Sequence, residues 1–472
     1  MDINVDVKDS KINGCDAAGR ANLRIDIQAL SAEDIRRNVK NAGVVGAGGA
    51  GFPTHVKLSA QAEIVVVNGA ECEPLLKTDQ QLAAKYAEEV VQGLQLELKA
   101  TGAKMGIIAL KEKYSAAIAA LRPYLTETVQ LKILPDIYPA GDEVFTIWFT
   151  TGRRVPPGGI PLDIGVVVNN LQTLLNIARA NKGFPVTTRT FTVTGAVNRP
   201  LTVTVPIGTS LQEVLALAGG GRGDDLAYIL GGPMMGNLVA DFTTPVTKTT
   251  GGLIALPQDH PLIQRKQMPL ESVLKIARTV CEQCSFCTEL CPRHMIGHEL
   301  APHRLIRAVN YKAMGDLATL STALICSECG VCEVYACPVG ISPMRVNRAL
   351  KSELRSQGVK YQGELGREDP MAQYRLIPSS RLMDRLNLRM WYKEAPLAAE
   401  PYEPVEVTLK LQQHIGAPAL PVVQVGETVH LGQVVGEIPE GALGARVHAS
   451  LAGVVLKVTP QSITIGKGGA AT

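Results

Sequence analysis

Aromatic residues are scarce: seven Phe and two Trp, with Phe, Trp and Tyr together only 4% of 472 residues. That argues against an aromatic groove on which single-stranded nucleic acid would stack. Net charge is only +3. No long basic block stands out, so nothing points to nucleic acid. No apolar run reaches about 18 residues, the length a membrane span requires. The stretch MDINVDVKDSK has acids early and no apolar core of a signal peptide, so the reducing cytosol is the expected compartment. What remains is ordinary globular material, 46% apolar and 19% charged, with length for about three or four domains.

Cysteine is abundant in one place. Eight of the ten cysteines lie between Cys281 and Cys337. Cys281, Cys284, Cys287 and Cys291 precede Pro292; Cys326, Cys329, Cys332 and Cys337 precede Pro338. The first run reads C-x2-C-x2-C-x3-C-P, a spacing used for [4Fe–4S] ligation. Three thiolates two residues apart can wrap three irons on one tight loop. In two-cluster ferredoxins the fourth cysteine of such a run ligates the other cluster. The expected sets are therefore Cys281, Cys284, Cys287 with Cys337, and Cys326, Cys329, Cys332 with Cys291. Structural zinc prefers two separated cysteine pairs, and disulfides suit small secreted domains; neither fits this chain. His294, His298 and His303 fall in the same region and are expected as surface or packing residues, since eight cysteines already complete two clusters. Cys15 has no partner at ligand spacing and is expected as a spare thiol.

Residues 1–30 read as an N-terminal arm. From 31 to 183 the pattern alternates between helix and strand. Ser31 caps a helix with Glu33 and Asp34 in its first turn. Then comes GVVGAGGAGFPTHVKL, in which Gly46, Gly48 and Gly51 match G-x-G-x-x-G. A helix precedes it rather than a strand, so a dinucleotide fingerprint is not indicated. The loop is either a backbone cradle for a phosphate or flat ring, or a tight turn. Strands are expected at Ile64–Val67, Gly106–Leu110, Val129–Leu134 and Ile164–Val168, and helices at Gln80–Leu98 and Tyr114–Leu121. This is an α/β layer. Glu71 and Glu73 follow the first strand, where open α/β sheets bind ligands. Residues 186–250 alternate in the strand period and read as a small α+β module. The cysteine module spans 255–355 with helical flanks, 356–404 reads as an extended linker, and 405–466 is strand-rich.

The motifs GAGGAGFPTHVKL, NGAECEP, YPAGDE, NNLQT and GGPMMG, with both cysteine runs, resemble the RnfC family of electron-transport proteins. The first half is also similar to the flavin-bearing subunit of respiratory complex I. VCEQC, CTELCPRH, ACPVGISPMR and TVTVPIGTSLQEVLALAGG resemble in particular the family's cobalamin reductases of propanediol-utilisation microcompartments. The HIGAPA-type segment, His414 to Pro418 here, stands near the C-terminus, whereas the RnfC protein proper has it near the N-terminus.

The resemblance implies a multidomain α/β and α+β fold. Its parts are a Rossmann-like FMN/NADH domain, a β-grasp (SLBB) module, a helical two-[4Fe–4S] ferredoxin domain and a C-terminal lipoyl-like barrel-sandwich module. It implies that Gly46, Gly48, Gly49, Gly51, Phe52 and Lys57 contact FMN. Asn68, Glu71 and Glu73 line the flavin. Tyr138, Gly141, Asp142 and Glu143 border flavin and nicotinamide, and Asn169, Asn170 and Thr173 close the site. Glu73, Tyr138 and Glu143 are the candidate catalytic side chains. Departures are Ala70, where complex I has Asp, and Leu58-Ser59-Ala60, which lacks an aromatic after the lysine. No lysine stands at an obvious hairpin tip of the tail, so lipoylation is not expected.

The implied activity is electron transfer from NADH through FMN and two [4Fe–4S] clusters to cobalamin, as a cob(III)alamin/cob(II)alamin reductase. The implied partners are an adenosyltransferase and microcompartment shell or enzyme proteins. The alternative is an RnfC-type electron-transfer protein serving a membrane complex or another microcompartment enzyme.

Overall fold

The computed structural model describes residues 25–311 and 316–467. Cys15 and most of the expected N-terminal arm lie outside the described residues. Helix Ala32–Asn41 starts where Ser31 accepts from the Asp34 amide and Asp34 answers to the Ser31 amide, and its Ile35 and Val39 are fully buried. Five strands follow: β1 (Ile64–Asn68), β2 (Met105–Lys111), β3 (Val129–Leu134), the two-residue β4 (Ile137–Tyr138) and β5 (Val166–Asn170). A parallel sheet of order β3-β2-β1-β5 forms from four of them. Val65, Val66 and Val67 are wholly buried, as strands covered on both faces require. Asn68 and Asn170 stand opposite each other at the C-terminal ends of β1 and β5.

The expected helix Gln80–Leu98 is two helices, Thr78–Lys85 and Ala87–Thr101. Tyr86 leaves the helical region at φ −122°, ψ 36°, and its ring lies 4.9 Å from the Arg179 guanidinium. The second helix is thereby aimed along Leu171–Ala180. It packs so closely that a Cβ on Gly93 would strike the Leu174 carbonyl.

Strands β6 (Thr188–Gly195), β7 (Leu201–Pro206), β8 (Leu226–Leu230), β9 (Asn237–Leu238) and β10 (Gly252–Pro257) form a mixed sheet of order β7-β6-β10-β8-β9. Its central strand, β10, lies past the residue 250 at which this module was expected to end. GLIALP is an almost wholly buried run, which suits a central strand better than a connection. The cysteine region is built on helices Leu270–Val280, Pro302–Asn310 and Pro343–Ser356.

Residues 356–404 are not simply an extended linker. β11 (Ile377–Pro378) pairs antiparallel with β4, and helix Ser379–Arg385 buries Leu382. Further on, the Thr202 amide donates to Pro396 and the Ala398 amide donates to Thr202. The apolar residues that dock this strap are spaced too irregularly among charges to show a period.

The tail holds β12 (Glu406–Lys410), β13 (Leu420–Pro421), β14 (Thr428–Val429), β15 (Val434–Glu437), β16 (Val447–His448), β17 (Gly453–Val458) and β18 (Ser462–Gly466). They make two small sheets, β12-β18-β17-β14 and β13-β15-β16. Val407, Leu409, Ile463 and Ile465 join one core with Val186 and Ile207. Among the described residues no helix is long and apolar enough to cross a membrane.

Candidate functional site: a glycine cradle beside two cysteine cavities

The glycine loop lies over the C-terminal edge of β1 and β5. The Ala47 amide donates to Thr173 Oγ1 at 2.9 Å, and Val45 bridges to Pro53. Gly48, Gly49 and Ala50 are exposed. Gly49 has φ +75° and nothing within 4 Å of where a Cβ would stand. Bare backbone therefore faces open space at the edge of a parallel sheet, which suits the approach of a phosphate or a ring. A Cβ on Gly48 would lie 3.5 Å from Asn170, so Asn170 borders the same space. Lys57 donates to the Val168 carbonyl at 2.7 Å, and Glu143 lies 3.7 Å from it. Asn68 donates to the Gly141 carbonyl at 2.7 Å.

A buried charged layer lies beneath the loop. Arg189 donates to the Ala47 carbonyl at 2.8 Å and to the Thr250 carbonyl at 2.7 Å. Asn170 donates to Asp79 at 3.0 Å, and the Asp79 amide donates to Glu71 at 3.1 Å. Burial, then the neighbouring Asp79, pushes Glu71 well above the usual carboxylate range, and burial lifts Asp79 to about 6. Burial lowers Arg189 only to about 10, so it remains cationic at neutral pH. A fixed cation under the loop and suppressed acid charge beside it favour an anion above. These residues fit a flavin phosphate. Asp79 and Arg189 were missed by sequence reasoning. The available signal was a lone arginine inside a threonine-rich strand that otherwise reads as half-buried.

Other expected residues are committed elsewhere. Glu73 accepts from the Met234 and Met235 amides, both at 2.8 Å, and a Cβ on Gly232 would collide with its carboxylate. It clamps the GGPMMG loop. Asn169 donates to the buried Glu97 at 2.7 Å, and burial raises Glu97 to about 7. Phe52 is half-buried next to the cradle, while Gly46 closes the loop by donating to the Phe52 carbonyl.

The eight cysteines gather in two cavities. One is lined by Cys281, Cys284, Cys287 and Cys337, the other by Cys291, Cys326, Cys329 and Cys332. Each cavity thus takes three sulfurs from one run and the distal one from the other. Four sulfurs around each cavity, three of them from one tight loop, suit a cubane, whose four thiolates bind four separate irons. Burial pushes the Cys291 thiol up to about 12, so a thiolate there requires a bound cation. His298 meets the Val155 carbonyl at 2.9 Å and His303 meets Thr288 at 2.7 Å; His303 also lines the first cysteine cavity. For His294 burial lowers the pKa.

The domain that carries the cradle is tied directly to the second cavity. Tyr138 donates its hydroxyl to the Cys329 carbonyl at 2.6 Å. Asp142 caps helix Glu143–Thr151 and pairs with Arg293, two residues past Cys291, at 2.6 Å. Tyr138, Met234, Ile229 and Cys329 share one hydrophobic core.

Comparison with known proteins matches residues 39–179 to the Nuo51 FMN-binding domain and 190–238 to the SLBB domain. Residues 280–342 match a 4Fe-4S dicluster domain, and 393–472 match the RnfC barrel sandwich hybrid domain. The cobalamin reductase PduS of Salmonella typhimurium is 60% identical, covering 93% of this chain and 98% of that protein. The same-named protein of Citrobacter freundii is 60% identical, covering 93% and 97%. One component of the Na(+)-translocating ferredoxin:NAD(+) oxidoreductase complex of Acetobacterium woodii is 38% identical over 57% of this chain and 60% of its own length. These findings bear out the expected family and its four kinds of domain, with FMN and iron–sulfur as the cofactor classes. With such identity along almost the whole length of both reductases, the chain belongs to the cobalamin reductase PduS family.

Proposed function

We propose that this chain reduces corrinoid cobalt with electrons from NADH, by way of FMN and two [4Fe–4S] clusters. The observation that carries the reading is the direct tie between the domain that carries the cradle and one cysteine cavity, through Tyr138 to Cys329 and Asp142 to Arg293. NADH loses a hydride, which is two electrons and a proton; two cobalt(III) centres each gain one electron, and the proton is released to solvent. The bound cofactors would supply the conversion of one hydride into two single electrons.

The chain's own residues do the rest. Backbone at Gly48 and Gly49, with Lys57 nearby and Arg189 beneath, holds the flavin phosphate. Asn68, Asn170 and Thr173 fix the loop and the strand ends around it. Glu143, half-exposed and in a long ion pair with Lys57, would accept a hydrogen bond from a ribose hydroxyl of the nicotinamide nucleotide. Tyr138 and the Asp142–Arg293 pair hold the flavin domain at fixed distance from Cys291 and Cys329. Cys281, Cys284, Cys287 and Cys337 hold one cluster; Cys326, Cys329, Cys332 and Cys291 hold the other. Glu73 acts by positioning the GGPMMG loop rather than by touching the flavin. Reduced cobalt needs an adenosyltransferase partner to trap it, and a propanediol-utilisation microcompartment is the setting this implies.

The test is anaerobic. Purified protein should release free FMN on denaturation and contain about eight irons. With NADH it should shift the visible spectrum of hydroxocobalamin to that of cob(II)alamin. Reduction of viologen dyes by NADH with no change in cobalamin, even with the adenosyltransferase present, would overturn the reading.

A further inference from the structure

A cleft with about 160 Å³ of free space opens between the GGPMMG loop and the loop carrying the second cysteine run. It is open to solvent, so a larger ligand would rest across its mouth rather than inside it, and ligand sites favour such module boundaries. One wall is apolar, with Met234, Met235 and Leu238. The other carries Arg345 and Arg348, with Lys266 between them. Gly330 and Met344 line both this cleft and the cavity of Cys291, Cys326, Cys329 and Cys332. A molecule in the cleft is thus separated from that cavity by the thickness of one loop.

We propose that this cleft seats the corrinoid acceptor, with the apolar wall against the ring and the basic wall on its phosphodiester; this rests on the reading that the chain reduces cobalamin. The charge balance fits an anion. Glu328 in the cleft is paired with Lys351 at 2.9 Å, and Glu333 is the one other acid of the lining. Lys266 donates to the Gly236 carbonyl at 2.6 Å, which fixes it at the base of the loop. Arg348 is half-exposed and makes only long contacts, 3.6 Å to Met344 Sδ and 3.8 Å to Glu328, so its guanidinium can turn to a ligand. Cobalamin offers what these walls would recognise: a broad apolar ring with amide edges, and a nucleotide tail bearing one phosphodiester. Glu73, reaching across from the end of β1, holds the Met234 and Met235 amides. The same carboxylate therefore sets the apolar wall of the cleft.

The experiment is equilibrium dialysis of the flavin- and iron-loaded, oxidised protein against cyanocobalamin. Dicyanocobinamide, which lacks the phosphodiester, and NADH serve as comparison ligands. The expected result is retention of cyanocobalamin by the parent, and about a tenfold loss in Arg345→Glu/Arg348→Glu, the size of one charge-assisted contact or more. The same double substitution should leave dicyanocobinamide unaffected. Met235→Trp, which fills the cleft from the wall away from the cysteines, should weaken both corrinoids. Equal affinity of parent and variants, no retention by the parent, or displacement of cyanocobalamin by NADH would overturn the site. Cobalamin held normally but never reduced with NADH would leave the site standing and bring down the activity.

Discussion

The two cysteine triplets share the spacing C-x2-C-x2-C, and the sets they anchor differ in almost everything around it. In the first, Cys284 is exposed, Cys281 and Cys287 are half-buried, and only Cys337 is buried. Phe286, 48% exposed, stands beside it. In the second, Cys291, Cys326, Cys329 and Cys332 are all buried. The second set touches the flavin domain through Tyr138 and Arg293 and borders the basic cleft through Gly330. Ligand spacing decides that iron binds; surroundings decide what the iron serves. Solvent exposure and hydrogen bonds to sulfur tune such potentials. Cys326 Sγ accepts from the Glu328 amide at 3.4 Å and from Asn347 at 3.8 Å, and Cys337 Sγ accepts from the Ile341 amide at 3.2 Å. The second set is thus both the more enclosed and the more hydrogen-bonded of the two. The enclosed set reads as the relay between flavin and cleft, and the open set as a terminal at the surface.

The largest effect should come from removing one ligand of each set. Cys329→Ala and Cys284→Ala should each lower iron from about eight to about four atoms per chain. Only Cys329→Ala should also destabilise the protein strongly, because it empties a cavity inside the shared core. Equal thermal midpoints for the two variants would break the comparison. Next is the tie itself. Asp142 and Arg293 are 12% and 11% exposed, and Asp142→Ala leaves a buried guanidinium unpaired, at a cost of about 3–5 kcal/mol. Denaturant unfolding with iron retained in the first set is the measurement.

A smaller effect comes from a junction remote from both sets. Lys248 donates to the Gly43 and Arg446 carbonyls, both at 2.7 Å, and burial lowers it from 10.5 to about 7. Between pH 7 and 10.5 the unfolded chain keeps this proton and the folded chain does not, so stability from this group rises with pH across that window, by at most about 1.4 kcal/mol per unit. Lys248→Met should remove that slope and leave both iron sets intact. A slope unchanged in the variant would contradict the assignment. Smallest is Tyr138→Phe, which deletes one hydrogen bond to Cys329 and should cost about 0.5–1.5 kcal/mol, read as a shift in the unfolding midpoint without loss of iron.

Much of this was legible in the sequence because the signals were local. The cysteine spacing places each sulfur in its loop, and the alternation from 31 to 183 indicates the α/β layer. The glycine loop was legible as a motif; its partners were not. Arg189 reaches Ala47 from a strand 142 residues away, and nothing in a threonine-rich strand reveals what lies under its one arginine. Glu73 illustrates the converse. Its position after β1 points to a ligand, and the family resemblance to the flavin, but two amides of another module hold it. The strap at 356–404 reads as extended in sequence because its apolar residues dock against several modules and so follow no single period.

The most direct measurement is the anaerobic rate of cobalamin reduction by NADH in the parent, Cys284→Ala and Cys329→Ala. An enclosed relay beside the cleft predicts that Cys284→Ala keeps most of the parent's rate and Cys329→Ala loses nearly all of it. The reverse ranking would contradict the account.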